Sequence, residues 1–164
     1  MNCILFDWGD TLMQVFPQYS GAMVAWPQVA AVVGAAETLA ALHPEYRLAV
    51  ATNAHDSDEA EIWAALKRAG LAANLDKVYC FRNVCFRKPS VEFFEYILSD
   101  LGLPPEGVVM VGDDWEADVL GANQAGLRAI WLNSRSAEVR SGEQYQTIHS
   151  LLELPECLQK WGFA

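Results

Sequence analysis

The chain has 164 residues, 52% of them apolar, which suits a single domain over 1–164 with a proper core and excludes a disordered protein. Acids outnumber bases 21 to 11, and the resulting net charge of −10 argues against a nucleic-acid-binding surface. No apolar run is long enough to span a membrane, and the first apolar stretch meets Asp7 without a basic leader, so the chain reads as cytoplasmic with no membrane partner. The four cysteines, Cys3, Cys80, Cys85 and Cys157, are irregularly spaced with no paired C-x-x-C, which points to reduced thiols and not to a zinc site.

The elements alternate along the chain. Cys3 to Phe6 reads as a short buried strand. Residues 13–27 are irregular, broken by Pro17, Gly21 and Pro27. Val29 to Leu42 has helical apolar spacing and ends near His43-Pro44. "RLAVA" (47–51) is a second strand. The helix that follows has Asp56 and Glu59 at capping-box spacing and Gly70 as its stop. "KVYCF" is a third strand. "KPSVEFFEYILSDLG" is a helix opened by Pro89 and closed at Gly102. "VVMVG" is a fourth strand, "EADVLGANQAG" a helix, "RAIWL" a fifth strand, and the tail a short helix and turn. Such alternation predicts an α/β fold: a central parallel, doubly wound sheet in a three-layer sandwich with helices on both faces.

In such sheets ligands bind at the carboxyl ends of the strands. Asp7 and Asp10 follow the first strand, Thr52 and Asn53 the second, and Lys88 the third at the start of the next helix. Asp113 and Asp114 follow the fourth, with Asp118 one helical turn on. Singly, each is accounted for as a cap or a solvated side chain. Together they place carboxylates, a hydroxyl and an ammonium on one edge. Clustered carboxylates repel unless a hard cation lies between them, and Mg²⁺ suits an all-oxygen set. That combination is the equipment of phosphoryl transfer through a carboxylate nucleophile.

The chain resembles the haloacid dehalogenase (HAD) superfamily of hydrolases over nearly its whole length. The first family motif, hhhDxDxT, corresponds to "CILFDWGDT"; the second to "LAVATN"; the third, a lysine at a helix start, to "RKPSVEFF"; and the fourth, hhhGDxxxxD, to "VMVGDDWEAD". The resemblance implies a Rossmann-like fold and a Mg²⁺-dependent phosphatase working through an aspartyl phosphate. It makes Asp7 the nucleophile and a magnesium ligand, with Gly9 contributing its backbone carbonyl and Asp113 a second carboxylate. Asp118 would support the metal site. Thr52, with Asn53, would bind the phosphate, and Lys88 would hold the phosphate and offset the carboxylates.

Gly9 departs from the pattern, because phosphatases of the family usually carry a second aspartate there as the acid and base. Asp10, one position later, is the candidate replacement. The alternatives are a non-catalytic phosphate- or protein-binding domain, and a dehalogenase or phosphonate hydrolase. The latter two rely on a substantial cap, and only the irregular segment 13–27 stands in the place of one. A minimal cap suits a phosphorylated small molecule, a bulky phosphorylated substrate, or a homo-oligomer whose neighbouring subunit supplies a lid. Phe16, Tyr19, Trp26 and Trp115 are expected to be ordinary packing before rim residues, and His55 lies close enough behind Thr52 to contact a substrate.

Overall fold

The structure, a computed structural model, describes residues 1–163. Six strands form one parallel sheet: β1 (Cys3–Phe6), β2 (Arg47–Ala51), β3 (Lys77–Tyr79), β4 (Val108–Gly112), β5 (Arg128–Leu132) and β6 (Tyr145–Ile148), in the order β3-β2-β1-β4-β5-β6. The helices are α1 (Ala35–Leu42), α2 (Glu59–Arg68), α3 (Phe81–Val84), α4 (Val91–Leu101), α5 (Gly121–Gln124) and α6 (Leu154–Lys160). The chain winds outward one way through β2 and β3 and the other way through β4 to β6. The crevice where this direction reverses lies beyond the carboxyl ends of β1 and β4.

Alternation along each strand builds a core on both faces. Ile4 and Phe6 join Leu48, Val50, Val109, Val111 and Ile130 beneath α1, α2 and α6. Cys3 and Leu5 join Ala49, Ala51, Val108, Met110 and Ala129 beneath α4 and α5. Every residue of β1 and β4 is buried, so both strands read as unbroken apolar runs. All four cysteines are free thiols, and among the described residues no helix is long and apolar enough to cross a membrane.

Four local expectations are corrected. The helix expected from Val29 begins only at Ala35, because Gly34 takes φ 83° and residues before it pair with the loop after β1, through Gln14 N–H to the Ala30 carbonyl (2.9 Å) and Val32 N–H to the Leu12 carbonyl (2.9 Å). The capping box of α2 is Asp58 with Glu61, two residues beyond the expected pair, with reciprocal bonds of 2.8 and 2.9 Å. Glu59 instead accepts from the Asn83 amide. The helix after β4 opens as a π-helical turn, Trp115–Leu120, before α5. Tyr145–Ile148 is a sixth strand and not tail; it is an edge strand in which only Ile148 is buried, so its sequence lacks an apolar run.

The segment between β1 and α1 carries a single 3₁₀ turn, Met23–Ala25. Its aromatics pack on one another, with ring centroids of Phe16, Tyr19 and Trp26 5.7 to 6.5 Å apart, as expected of packing residues. Trp115 likewise lies against Trp131 and Tyr145.

One glycine fixes how closely two layers approach. A Cβ on Gly121 would stand 2.8 Å from the Pro89 Cα, where α5 crosses the turn that carries Lys88. Alanine in a helix is worth about 1 kcal/mol over glycine, but overpacking against backbone costs about 1–3 kcal/mol. Gly121→Ala should therefore lower the urea midpoint; a raised midpoint would show that the Pro89 turn yields freely.

Candidate active site

β1 delivers Asp7 to the crevice, and its amide extends the ladder by donating to the Val111 carbonyl at 2.8 Å. Asp7 lines a cavity of about 390 Å³ together with Thr52, Asn53, Lys88, Asp113 and Asp118. Lys88, its side chain 2% exposed, donates from Nζ to Asp7 Oδ1 at 2.8 Å and to Asp118 Oδ1 at 2.6 Å. Burial works against the ammonium, but the charges of Asp118 and Asp7 outweigh it and hold its pKa above the ordinary lysine value.

Two further contacts set the lysine in place. Asn53 grips the Lys88 peptide at both ends: its Oδ1 accepts from the Lys88 N–H and its Nδ2 donates to the Lys88 carbonyl, both at 2.8 Å. Both polar atoms of the amide expected to bind phosphate are thus engaged by the Lys88 peptide. Thr52 is buried beside it, and its hydroxyl accepts from the Ala54 N–H at 3.1 Å. That bond leaves its own proton available to an anion in the cavity.

Asp118 is buried with both oxygens engaged, Oδ1 by Lys88 and Oδ2 by the Asp114 N–H at 3.0 Å. The π-helical turn brings it against Gly112, where a Cβ would lie 2.0 Å from Asp118 Oδ2. Only glycine fits at that strand end. Burial pushes Asp118 above the usual carboxylate range, opposed by the Lys88 charge. Asp113 is pushed up to about 6 by burial, then by the charges of Asp7 and Asp10, against Arg135 and the Thr11 hydroxyl. Thr11 donates to Asp113 Oδ1 at 3.3 Å, and the Asp113 carbonyl accepts from the Trp131 indole at 3.0 Å.

One oxygen each from Asp7, Asp113 and Asp118 lies within 4.8 Å of the others. Three carboxylates thus face one ammonium, an all-oxygen donor set that fits a hard divalent cation. Asp7 and Asp113 suit it best, since both Asp118 oxygens already hold partners. Gly9 also lines the cavity.

Asp10 is the expected residue that the structure does not bring to the cavity. It has φ 57°; its Oδ1 accepts from the Val15 N–H at 2.9 Å, and its Oδ2 from Arg135 Nη2 at 2.7 Å. It lines a separate hollow with Arg135 and His149. By holding Val15, Asp10 folds the loop over Gly9: a Cβ on Gly9 would meet Val15 Cγ2 at 2.9 Å. Arg135, 125 residues away in sequence, also reaches Asp113 at 3.7 Å, and nothing in its sequence context signals that role. Thr11, by contrast, is the threonine of the first motif. His55 lines the cavity, as its position behind Thr52 suggests.

Breaking a buried pair by removing one partner costs about 3–5 kcal/mol, because a buried charge is left alone. Lys88→Met should lose about that much at pH above neutrality. The raised Asp118 carboxyl binds a proton more readily in the folded than in the unfolded chain, so the loss should shrink as pH falls towards about 5. Urea unfolding at both pH values checks this; a loss independent of pH would rule out the charge as its cause.

The haloacid dehalogenase-like hydrolase profile matches residues 6–132, which takes in the last three motifs whole and the first from Phe6 onward. Glyceraldehyde 3-phosphate phosphatase of Methanothermobacter thermautotrophicus is 34% identical over 69% of this chain and 51% of its own. Pyrimidine 5'-nucleotidase YjjG of Escherichia coli is 33% identical over 77% of this chain and 56% of its own. The chain thus spans about half the length of these curated relatives. A crystal structure of a Listeria monocytogenes serotype 4b protein superposes with a TM-score of 0.84 over 100% of both chains at 24% identity, which speaks to the fold alone. A profile match over most of the chain, on a doubly wound sheet of this order, makes the protein a member of the haloacid dehalogenase-like hydrolase family.

Proposed function

We propose that the chain is a magnesium-dependent phosphatase that forms an aspartyl phosphate on Asp7. The observation that carries this reading is the Lys88 ammonium on Asp7 Oδ1, which orients the carboxylate and leaves Oδ2 for attack within a cavity of about 390 Å³. The phosphatase names of the two curated relatives support the reaction class. Free thiols accord with a cytoplasmic location.

Asp7 attacks phosphorus, Lys88 and the Thr52 hydroxyl receive the phosphoryl oxygens, and Asn53 and Asp118 keep Lys88 in position. Asp7, Asp113 and the Gly9 carbonyl would hold Mg²⁺, which when bound neutralises charge on the phosphoryl oxygens. The partner is a phosphorylated molecule, small or bulky. One wall of the cavity is made by Val15, Met23 and Trp26 from the segment after β1.

Asp7→Asn keeps the shape and removes the nucleophilic charge, so hydrolysis of p-nitrophenyl phosphate should fall by more than about 10³-fold with circular dichroism unchanged. Retained turnover would refute the assignment.

A raised carboxyl pKa stabilises the metal-free fold at low pH, and for Asp113 that contribution fades as pH rises through about 6. A cation must displace the same proton. Mg²⁺ should therefore raise the unfolding temperature at about pH 8 and barely at about pH 5. Equal shifts at both pH values, or full activity in EDTA, would refute the metal assignment.

A further inference from the structure

Expelling an alcohol from a phosphate monoester requires a proton at the leaving oxygen, and water attacks an acyl phosphate faster when a base takes its proton. Few groups in the cavity can serve. Lys88 is held between two carboxylates, and Asp113 and Asp118 belong to the acidic cluster. Asp114 caps the π-helical turn by accepting from the Ala117 N–H at 2.9 Å. Asp10 points elsewhere, into its bonds with Val15 and Arg135. His55 and Asp56 remain, both lining the cavity.

His55 stands three residues after Thr52, on the turn leaving β2 and on the same sheet edge as Asp7. Its Nε2 lies 3.4 Å from Asp56 Oδ1, which leaves Nδ1 for proton exchange. Its carbonyl accepts from Arg82 Nη2 at 3.4 Å. The side chain is 67% exposed, so substrate and water reach it. Imidazole is the side chain that both gives and takes a proton near neutrality.

We infer that His55 is the acid–base residue of this site, with Asp56 positioning it; the inference rests on the phosphatase reading above. In the first half-reaction an Asp7 oxygen bonds to phosphorus as the bond to the leaving oxygen breaks. The electron pair stays on that oxygen, which takes a proton from His55. In the second, a water oxygen bonds to phosphorus and its proton passes to the neutral His55. The bond from Asp7 to phosphorus breaks with its electron pair returning to the carboxylate. Inorganic phosphate leaves, and His55 ends protonated as it began.

The test compares wild type, His55→Gln, His55→Asn and Asp10→Asn in Mg²⁺, with glycerol 2-phosphate and p-nitrophenyl phosphate as probes. Nitrophenolate needs little protonation. For this ester both His55 variants should keep the rate of the initial product burst within about fivefold, while the steady rate slows because the second half-reaction has lost its base. With glycerol 2-phosphate both should lose about 10²-fold or more in kcat. Equal losses in the burst and in alkyl turnover would mark a structural role and overturn the inference. So would unchanged alkyl turnover, or a loss confined to Asp10→Asn. A wild type that hydrolyses only the aryl ester would show that no side chain supplies the proton, and would also overturn it. Failure of the phosphatase reading has a different signature: no hydrolysis of either ester by wild type, or activity retained in Asp7→Asn, which would remove both conclusions.

Discussion

The ammonium of Lys88, sealed between Asp7 and Asp118, is the interaction around which the crevice is organised. Withdrawing three charged groups from water is costly, and the mutual attraction offsets that cost only when each remaining hydrogen-bonding position is filled. The structure fills the second Asp118 oxygen and holds the other two groups by their backbone. Asn53 holds the lysine peptide from β2, the Asp114 amide takes the second Asp118 oxygen, and the β4 ladder fixes the Asp7 backbone. Two absent side chains matter as much. Gly112 makes room for the Asp118 carboxylate, and Gly121 lets α5 lie on the turn before α4. A network joining residues 81 and 30 positions apart is thus accompanied by small residues at two places that do not line the cavity.

Much of this was legible in the sequence because strand ends are easy to find. The unbroken apolar runs of β1 and β4 end in Asp7 and in Gly112-Asp113, and a doubly wound sheet brings such ends together whatever the helices do. Less was legible where a side chain chooses among partners. Asn53 follows Thr52 in a phosphate-binding motif, yet its amide is matched to a peptide 35 residues on, and no local pattern encodes that. The start of α1 is hidden in the sequence because apolar spacing continues through 29–34 while Gly34 turns the backbone and the preceding residues pair with the loop after β1. β6 leaves little trace in the sequence because an edge strand half open to water needs no apolar run.

The loop after β1 shows how one position changes a role. Asp10 sits one residue beyond the place where the family carries its acid, and in a tight loop that is enough to point it elsewhere. With its left-handed backbone it ties Val15 and Arg135, and in doing so draws Val15 across Gly9. The same Arg135 reaches Asp113, so the loop after β5 and the loop after β1 share one cation at the margin of the acidic cluster. Arg135 is 72% exposed, which makes this pairing a matter of loop shape more than of stability.

Arg68, in the last turn of α2, donates from Nη1 to the Val24 carbonyl at 2.7 Å and to the Trp26 carbonyl at 2.9 Å. It straps the segment that walls the cavity to the body of the fold, and the ring contacts of Trp26 with Phe16 and Tyr19 tighten the strap. The wall is thus tied in two places, by Arg68 at Val24 and Trp26 and by Asp10 at Val15. The contour that Val15, Met23 and Trp26 present to the cavity is therefore set by contacts made outside it.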